Sequence, residues 1–415
     1  MMTEYINIDL ITLILSAILL VFALTTPFLN GFFRRPKGVM AALGDGGSDW
    51  SDEPDGSDGS EESEESDGSD KSEEPEKPLP PVSIILTPHE NGRELEENLP
   101  LYLDQDYPTD YEVVVVVWKG DAETEDVLKR FADQPRLYTT YIPDSSRYMS
   151  RKKLAITLGI KAAKHEWIMM TDAECRPNTR KWLATMAAMC SDDKQMVIGY
   201  TAYDDETPAY RRFERLHTAH YLIREDLCST PYRHNGSNLL FRKSMFIEQD
   251  GYRGNLKYIR GEYDFLVNKY ANRTNTALQL APDSWLTEQA PTEKQWRNKH
   301  LFYMESRQHM MRTWRHRLPF NIDQCAMHLN YVLIIAAAAY SIVTQRWLLT
   351  AVAAIALVLT VMLRLSICKK SLRLYREDIS SWSIIPYELG IVWHQLGYML
   401  KYRKADKYDF ISHKI

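Results

Sequence analysis

Five consecutive valines, Val113 to Val117, constrain this chain more than any other run. A strand that is apolar at every position has no polar face to offer water, so it must be covered on both sides. Residues 111–118 are therefore expected to be an interior strand of a parallel sheet with helices on both faces. The neighbouring segments agree. Residues 82–86 are a short apolar run closed by Pro88. Residues 93–103 carry Leu95, Leu99 and Leu103 at helical spacing. A helix is expected at 124–131 and a strand at 136–142. Residues 151–163 read as a helix with Leu154, Leu158 and Ala162 on one face, and 167–171 as a further strand. Such alternation predicts an α/β domain with a mixed, mainly parallel sheet. Beyond it the pattern is less regular, with helices expected at 210–227 and 263–270 and short strands near Val197 and Thr276.

The strand at 167–171 runs into Asp172-Ala173-Glu174-Cys175. Alternate residues point to the same face of an extended chain, so Asp172 and Glu174 can converge on one ligand. In open α/β sheets ligands lie beyond the carboxyl ends of the strands. Hard divalent cations take oxygen ligands and bridge to substrate phosphates. The pair is thus a candidate metal–diphosphate site. The competing reading is a solvated turn before a helix started by Pro177 and Asn178.

The rest of the chain bears on where such a domain would sit. Between Asp45 and Lys77 there are 15 acidic residues and two lysines, a local charge of −13 in a chain of −6, so the remainder carries +7. That stretch is too polar to offset ordering entropy and is expected to be a disordered linker. The five cysteines are odd in number and lack a Cys-x-x-Cys pair, which suggests neither a disulfide framework nor a thiolate zinc site. Residues 10–29, 325–343 and 347–363 are apolar enough to span a bilayer. Basic clusters flank them: Arg34, Arg35 and Lys37; Arg312, Arg315 and Arg317; Lys369, Lys370, Arg373 and Arg376. Positive-inside logic puts these clusters in the cytoplasm and the N-terminus outside. Arg364 is expected to snorkel from the end of the third span. The stretch 382–400 contains Pro386, Glu388 and His394, and reads as an interfacial amphipathic helix. The expected division is an N-terminal transmembrane anchor (1–33), the acidic linker (44–81), a catalytic-type domain (82–320), a transmembrane hairpin (325–367) and the interfacial helix (379–400). Basic residues form no patch with interleaved aromatics, so nucleic acid is not an expected partner. A transporter reading is weakened because no span shows an internal charge pair in the sequence.

Several blocks, in order, carry a family resemblance over residues 81–300. They are Pro81-Val-Ser-Ile-Ile-Leu-Thr-Pro-His-Glu-Asn, Glu112 with its valines, the helix from Lys152, Thr171-Asp-Ala-Glu-Cys, Asn235-Gly-Ser-Asn-Leu-Leu-Phe-Arg-Lys-Ser, and Gly261-Glu-Tyr-Asp. Together they resemble a membrane-anchored family 2 glycosyltransferase of GT-A fold, with a Rossmann-like nucleotide-binding domain plus transmembrane helices. The resemblance implies transfer of a sugar from a nucleotide-sugar donor to a membrane-associated glycan or lipid-linked acceptor. It further implies inversion, Mn²⁺ or Mg²⁺, and a role in cell-surface polysaccharide synthesis. It suggests a multi-pass position in a bacterial inner membrane with the catalytic domain in the cytoplasm.

Site residues follow from the matching blocks. Asp172 and Glu174 would hold the metal. Glu90, Asp121, Lys152 and Asp172 would bind the nucleotide sugar, with Lys153 an alternative to Lys152. Asp264 would be the base, with Glu262 the alternative. Asn238, Gln295, Arg297 and His300 would approach the acceptor or diphosphate. The chain departs from the family at four points, the first being Glu174 in place of the second Asp of the metal pair. In addition, its second strand ends in Trp118-Lys-Gly-Asp121 instead of Asp-Asp-Gly, Tyr263 stands in the usual base position, and Gln295-Trp-Arg-Asn-Lys-His300 only echoes Gln-x-x-Arg-Trp. The last two departures support the alternative of a catalytically inactive binding or scaffold subunit.

Overall fold

The computed structural model describes residues 9–33, 78–142, 150–234 and 236–410. Most of the acidic linker, and Asn235 of the Gly-Ser-Asn block, lie outside the described residues. In chain order the elements begin with α1 (Leu10–Thr25), β1 (Val82–Leu86), α2 (Gly92–Leu103), β2 (Tyr111–Trp118), α3 (Ala122–Arg130), β3 (Leu137–Ile142), α4 (Arg151–Ala162) and β4 (Trp167–Met170). There follow β5 (Cys175–Pro177), α5 (Trp182–Ala187), β6 (Met196–Ile198), β7 (Thr201–Tyr203), α6 (Ala209–Cys228), β8 (Leu239–Arg242) and α7 (Lys243–Glu248). Then come α8 (Glu262–Tyr270), β9 (Thr276–Leu278), β10 (Leu286–Glu288), α9 (Glu293–Ser306), α10 (Leu318–Val343), α11 (Trp347–Leu374) and α12 (Ser381–Lys404).

The valine run is the interior strand that its composition demands. The large sheet has the order β3-β2-β1-β4-β8-β6-β9, and only β8 runs against its neighbours. Alternation along β2 divides the valines between two cores. Val113, Val115 and Val117 pack with Leu95, Leu99 and Tyr102 of α2 and Val127 and Leu128 of α3. Val114 and Val116 pack on the other face with Ile156 and Ile160 of α4 and Phe265 and Leu266 of α8. Gly159 lets α4 approach this closely, since a Cβ there would lie 2.8 Å from Ile85 and 3.0 Å from Val116. A second, three-stranded sheet has the order β5-β10-β7.

Three helical segments, Leu10–Leu29, Trp314–Val343 and Trp347–Leu374, are long and apolar enough to cross a membrane. They pack through Leu19 and Ala23 of α1, Ile334 of α10, and Leu349, Ala353 and Ala356 of α11. The alanines allow close helix approach, the common device between membrane helices. Arg346, in the turn before α11, pairs with Asp9 at the start of α1 at 2.5 Å. At the other end, the segment after α1 reaches α11 and α12, where Asn30 donates to Glu388 Oε1 at 2.5 Å. The same end joins the sheet domain: Phe32, Phe213, Leu216, Trp285, Leu372, Tyr375, Ile384 and Ile391 form one core.

Arg364 does not snorkel. It is fully buried, its Nε 3.0 Å from Glu388 Oε2 of α12 and its Nη2 3.1 Å from Asp323 Oδ1 of α10. Two carboxylates on neighbouring helices face the guanidinium from within, so pairing replaces the reach toward water. The helices therefore do enclose a charge pair, contrary to the sequence-based reading of the spans. Helix α12 lies against α6, α9 and α11 through Ile384, Glu388, Ile391, Tyr398 and Tyr402, and exposes Trp382, Trp393, Leu396 and Leu400.

Candidate functional site

Because β3, β2, β1 and β4 are parallel, their carboxyl ends share one edge of the sheet. Strand order reverses between β1 and β4, and a crevice opens at such a switch point. Three loops meet there. After β1, Glu90 adopts a left-handed conformation (φ 58°), costly for a residue with a side chain and common where function fixes the backbone. Its N–H donates to Asp121 Oδ2, 3.1 Å away in the loop after β2. Asp121 also caps α3 by accepting from the Thr124 N–H and hydroxyl. The structure thus brings Glu90 and Asp121 together, with the Glu90 side chain exposed.

After β4 the chain alternates as the sequence suggests. Thr171, Ala173 and Cys175 are buried, while Asp172 and Glu174 are partly exposed. Helix α2 holds this segment from behind. Asn98 donates to the Ala173 carbonyl at 2.8 Å, and Tyr102 donates to the Cys175 carbonyl at 2.7 Å. The chain continues into β5, so no helix starts at Pro177 and Asn178.

Lys152, in the first turn of α4, places its ammonium 2.6 Å from Asp172 Oδ1 and 4.0 Å from Glu262 Oε1. Burial opposes its charge, but Asp172, Glu262 and Glu174 outweigh burial and hold its pKa above the ordinary lysine value. Burial and repulsion from Asp172 raise the Glu174 carboxyl, only partly relieved by Lys152. The adjacent Lys153 is turned away. Its ammonium donates to the carbonyls of Asn255, Tyr258 and Arg260 at 2.9, 2.5 and 3.3 Å, and burial pushes it down to about 8. Of the two lysines, only Lys152 meets the carboxylates.

Those three carbonyls precede α8. Gly261 turns the chain with φ 90°, a left-handed geometry suited to glycine. Glu262 follows, buried between Lys152 and Arg260. Burial alone would raise its carboxyl, yet Lys152, Arg260 and Lys153 bring it below its usual value. Asp264 accepts from the His234 N–H at 3.2 Å and lies 3.6 Å from Arg233 Nε. Burial dominates there and raises its carboxyl in spite of Arg233. Tyr263 between them is buried, and the Lys152 ammonium lies 5.9 Å from its ring centre. Burial and the Asp172 charge raise its phenol well above normal.

Sequence reasoning missed a neighbouring group. Glu288, at the end of β10 and in register with Cys175, pairs with Arg215 at 3.0 Å and Lys299 at 3.0 Å. Lys299 also donates to the Tyr203 hydroxyl at 3.0 Å. These residues come from α6, β7, β10 and α9, and share no local spacing. Of these, only Lys299 lies in one of the blocks compared with the family, that of Gln295.

Four expected residues are placed otherwise. Asn238 is fully buried, and its amide donates to the Tyr200 and Ser284 carbonyls at 3.0 and 2.8 Å while accepting from Trp182. It braces the loop and has no donor left for an acceptor sugar. Gln295 is exposed and completes a capping box with Thr292 at the start of α9. Arg297 is exposed on the same helix. His300 lies 3.2 Å from Glu214 of α6 and stacks on Tyr398 of α12 with ring centres 4.3 Å apart. It is a joint between helices.

The donor set suits a hard dication only in part. Among the described residues no three His, Cys, Asp or Glu side chains form a metal cage. A magnesium-type ion held by one or two carboxylates and substrate phosphate needs no such cage. Asp172 already carries a cation, the Lys152 ammonium, and Glu174 is raised by burial and by the Asp172 charge. The pair therefore fits a half-site that a diphosphate would complete.

The mannosyltransferase PcManGT from Pyrobaculum calidifontis, in complex with GDP-Man and Mn²⁺, is 17% identical with a TM-score of 0.46 over 86% of this chain and 99% of that one. S. aureus TarS 1–349 in complex with UDP-GlcNAc is 15% identical with a TM-score of 0.38, over 61% of this chain and 66% of that one. No curated protein matches the chain. The sequence profile of glycosyl transferase family 21 matches residues 62–389.

Proposed function

The chain belongs to glycosyltransferase family 21, and from that premise we propose that it transfers a sugar from a nucleotide-sugar donor to a lipid-linked or membrane-associated glycan acceptor, with inversion at the anomeric carbon. The resemblance noted in the sequence was to family 2, whose activity class is the same. The observation that carries the proposal is the outward pair Asp172 and Glu174 at the switch point, with Lys152 on Asp172.

In this reading Asp172 and Glu174 would hold Mn²⁺ or Mg²⁺, which when bound would supply positive charge against the leaving diphosphate. Lys152 adds a point charge there once it exchanges its carboxylate for phosphate oxygen. The loops of Glu90 and Asp121 receive the nucleoside. Asp264 takes the proton of the acceptor hydroxyl, and its raised carboxyl brings it nearer to neutral pH, which suits a general base. Glu262 stays ionised beneath and positions Lys152. Arg215 and Lys299 lend positive charge from the Glu288 side. The segment division given above belongs to this reading: anchor 1–33, spacer 44–81, catalytic domain 82–320, hairpin 325–367 and interfacial helix 379–400. So does the orientation, with the catalytic domain on the cytoplasmic side of a bacterial inner membrane and the product serving a cell-surface polysaccharide.

The test is release of nucleoside diphosphate by the full chain in detergent, from a panel of UDP- and GDP-sugars, with Mn²⁺, Mg²⁺ or a chelator. The reading expects turnover of at least one donor that stops on chelation. Turnover that is indifferent to chelation would remove the metal, and no turnover of any donor would remove the assignment of donor class.

A further inference from the structure

A cleft remote from the sheet edge lies where α11 ends. Helix α11 has 28 residues, about 42 Å at 1.5 Å per residue, against about 30 Å of bilayer hydrocarbon. Its last turns therefore emerge on the side of the sheet domain, at the level of lipid headgroups. There the helix closes in a Schellman motif. The Glu377 N–H bonds the Leu372 carbonyl at 3.0 Å and the Arg376 N–H bonds the Arg373 carbonyl at 3.0 Å. The left-handed position of that motif is held by Arg376 (φ 55°) where glycine is usual. The returning chain folds back on the helix and leaves a cleft of about 180 Å³ lined by Lys369, Leu372, Arg373, Glu377, Asp378 and Ile379.

The charge of this cleft favours an anion. Lys369, Lys370, Arg373 and Arg376 are all exposed. Of the two facing carboxylates, Glu377 is engaged by Arg212 of α6 at 3.0 Å, which leaves the exposed Asp378 side chain against the four basic residues. A helix dipole favours cations in a last turn, which accounts for the residue types but not for a cleft between them. Basic recesses between membrane helices on the cytoplasmic side suit phosphorylated headgroups.

We propose that the Lys369–Arg373 cleft binds the phosphate of an anionic membrane phospholipid. The inference rests on the membrane placement in the proposed function, which fixes a lipid as the source of that phosphate. Through Glu377 and Arg212 the bound headgroup abuts α6, the helix that also carries Arg215 toward the candidate site.

The test uses the full chain in a neutral detergent and native mass spectrometry with equal amounts of phosphatidylglycerol and phosphatidylcholine. Wild type is expected to retain phosphatidylglycerol preferentially. The double variant Lys369→Gln, Arg373→Gln should lose roughly tenfold or more of that preference, while the charge-keeping Lys369→Arg, Arg373→Lys retains it. Lys401→Gln with Arg403→Gln, on α12, should leave it unchanged. A preference that survives the first double variant, or falls equally in the α12 control, overturns the cleft. Displacement of the lipid by excess inorganic phosphate would make this a free-phosphate site and overturn the lipid. Sedimentation with membranes tests the placement separately: a chain recovered in the soluble fraction overturns the placement, whatever the cleft binds.

Discussion

Two clusters of buried charge in this chain have similar ingredients and opposite constructions. In the helical part, Arg364 meets Asp323 and Glu388, and all four carboxylate oxygens accept a hydrogen bond, from Arg364, Asn30, Cys368 or Gln324. The three charged side chains are 0 to 4% exposed. At the sheet edge, Lys152 meets Asp172 with Glu174 and Glu262 nearby, and Lys152 and Asp172 are 21% and 15% exposed. There one ammonium serves several carboxylates, and burial together with repulsion from Asp172 keeps the Glu174 carboxyl raised. The first arrangement is closed and joins α10, α11, α12 and the segment after α1. The second is partly exposed to solvent and short of positive charge. Composition alone does not separate a joint from a binding site; access and the balance of charge do.

The contrast can be broken at either end. The largest effect is expected in the open site, where Asp264→Asn should cut turnover by roughly 10²–10⁴-fold with little change in donor binding. Its raised carboxyl adds a pH signature: turnover should fall on acidification through a value above the ordinary carboxylate range of about 4. Steady-state assays at saturating donor decide this, and an inactive Glu262→Gln beside an unimpaired Asp264→Asn would reverse the roles. Next comes the closed cluster. Arg364→Met leaves two buried carboxylates unpaired and should cost about 3–5 kcal/mol, read as thermal unfolding in detergent. A cost under about 1 kcal/mol would show that the cluster is not a joint. Lys152→Met, by contrast, leaves Asp172 and Glu174 partly exposed and the buried Glu262 still beside Arg260. It should cost only about 1–2 kcal/mol while weakening nucleoside diphosphate binding about tenfold, and an Arg364-sized loss of stability would erase the distinction between the clusters. The smallest effect belongs to Gln295→Ala. Loss of the capping box should cost about 1 kcal/mol or less with turnover unchanged, and a large loss of turnover would return Gln295 to the site.

What could be seen in the sequence follows the range of each signal. The first half of the sheet was legible because β1, β2 and β4 are mostly apolar, interrupted only by Ser83 and Glu112, and α2 and α4 carry helical spacing. Strands β5, β7 and β10 have three residues each, too few to show a period of two. Asp172 and Glu174 could be read because alternation acts between neighbours. Arg364 was misread because its partners lie 41 and 24 residues away, and an arginine closing an apolar run looks the same whether it reaches for water or for a carboxylate. Glu288, Arg215 and Lys299 were missed for the same reason. Asn238 and Gln295 sit in blocks that resemble functional ones, yet their hydrogen bonds serve the backbone.

The central claim is that Asp172 and Glu174 form a half-site for a divalent cation and a diphosphate. Isothermal titration calorimetry tests it directly, with UDP and GDP added to the full chain in the presence and absence of Mn²⁺. The account predicts binding that requires the metal in wild type, and a loss of roughly two orders of magnitude or more in both Asp172→Asn and Glu174→Gln, since each removes a charged oxygen ligand. Affinity that is unchanged in both variants with Mn²⁺ present would contradict it.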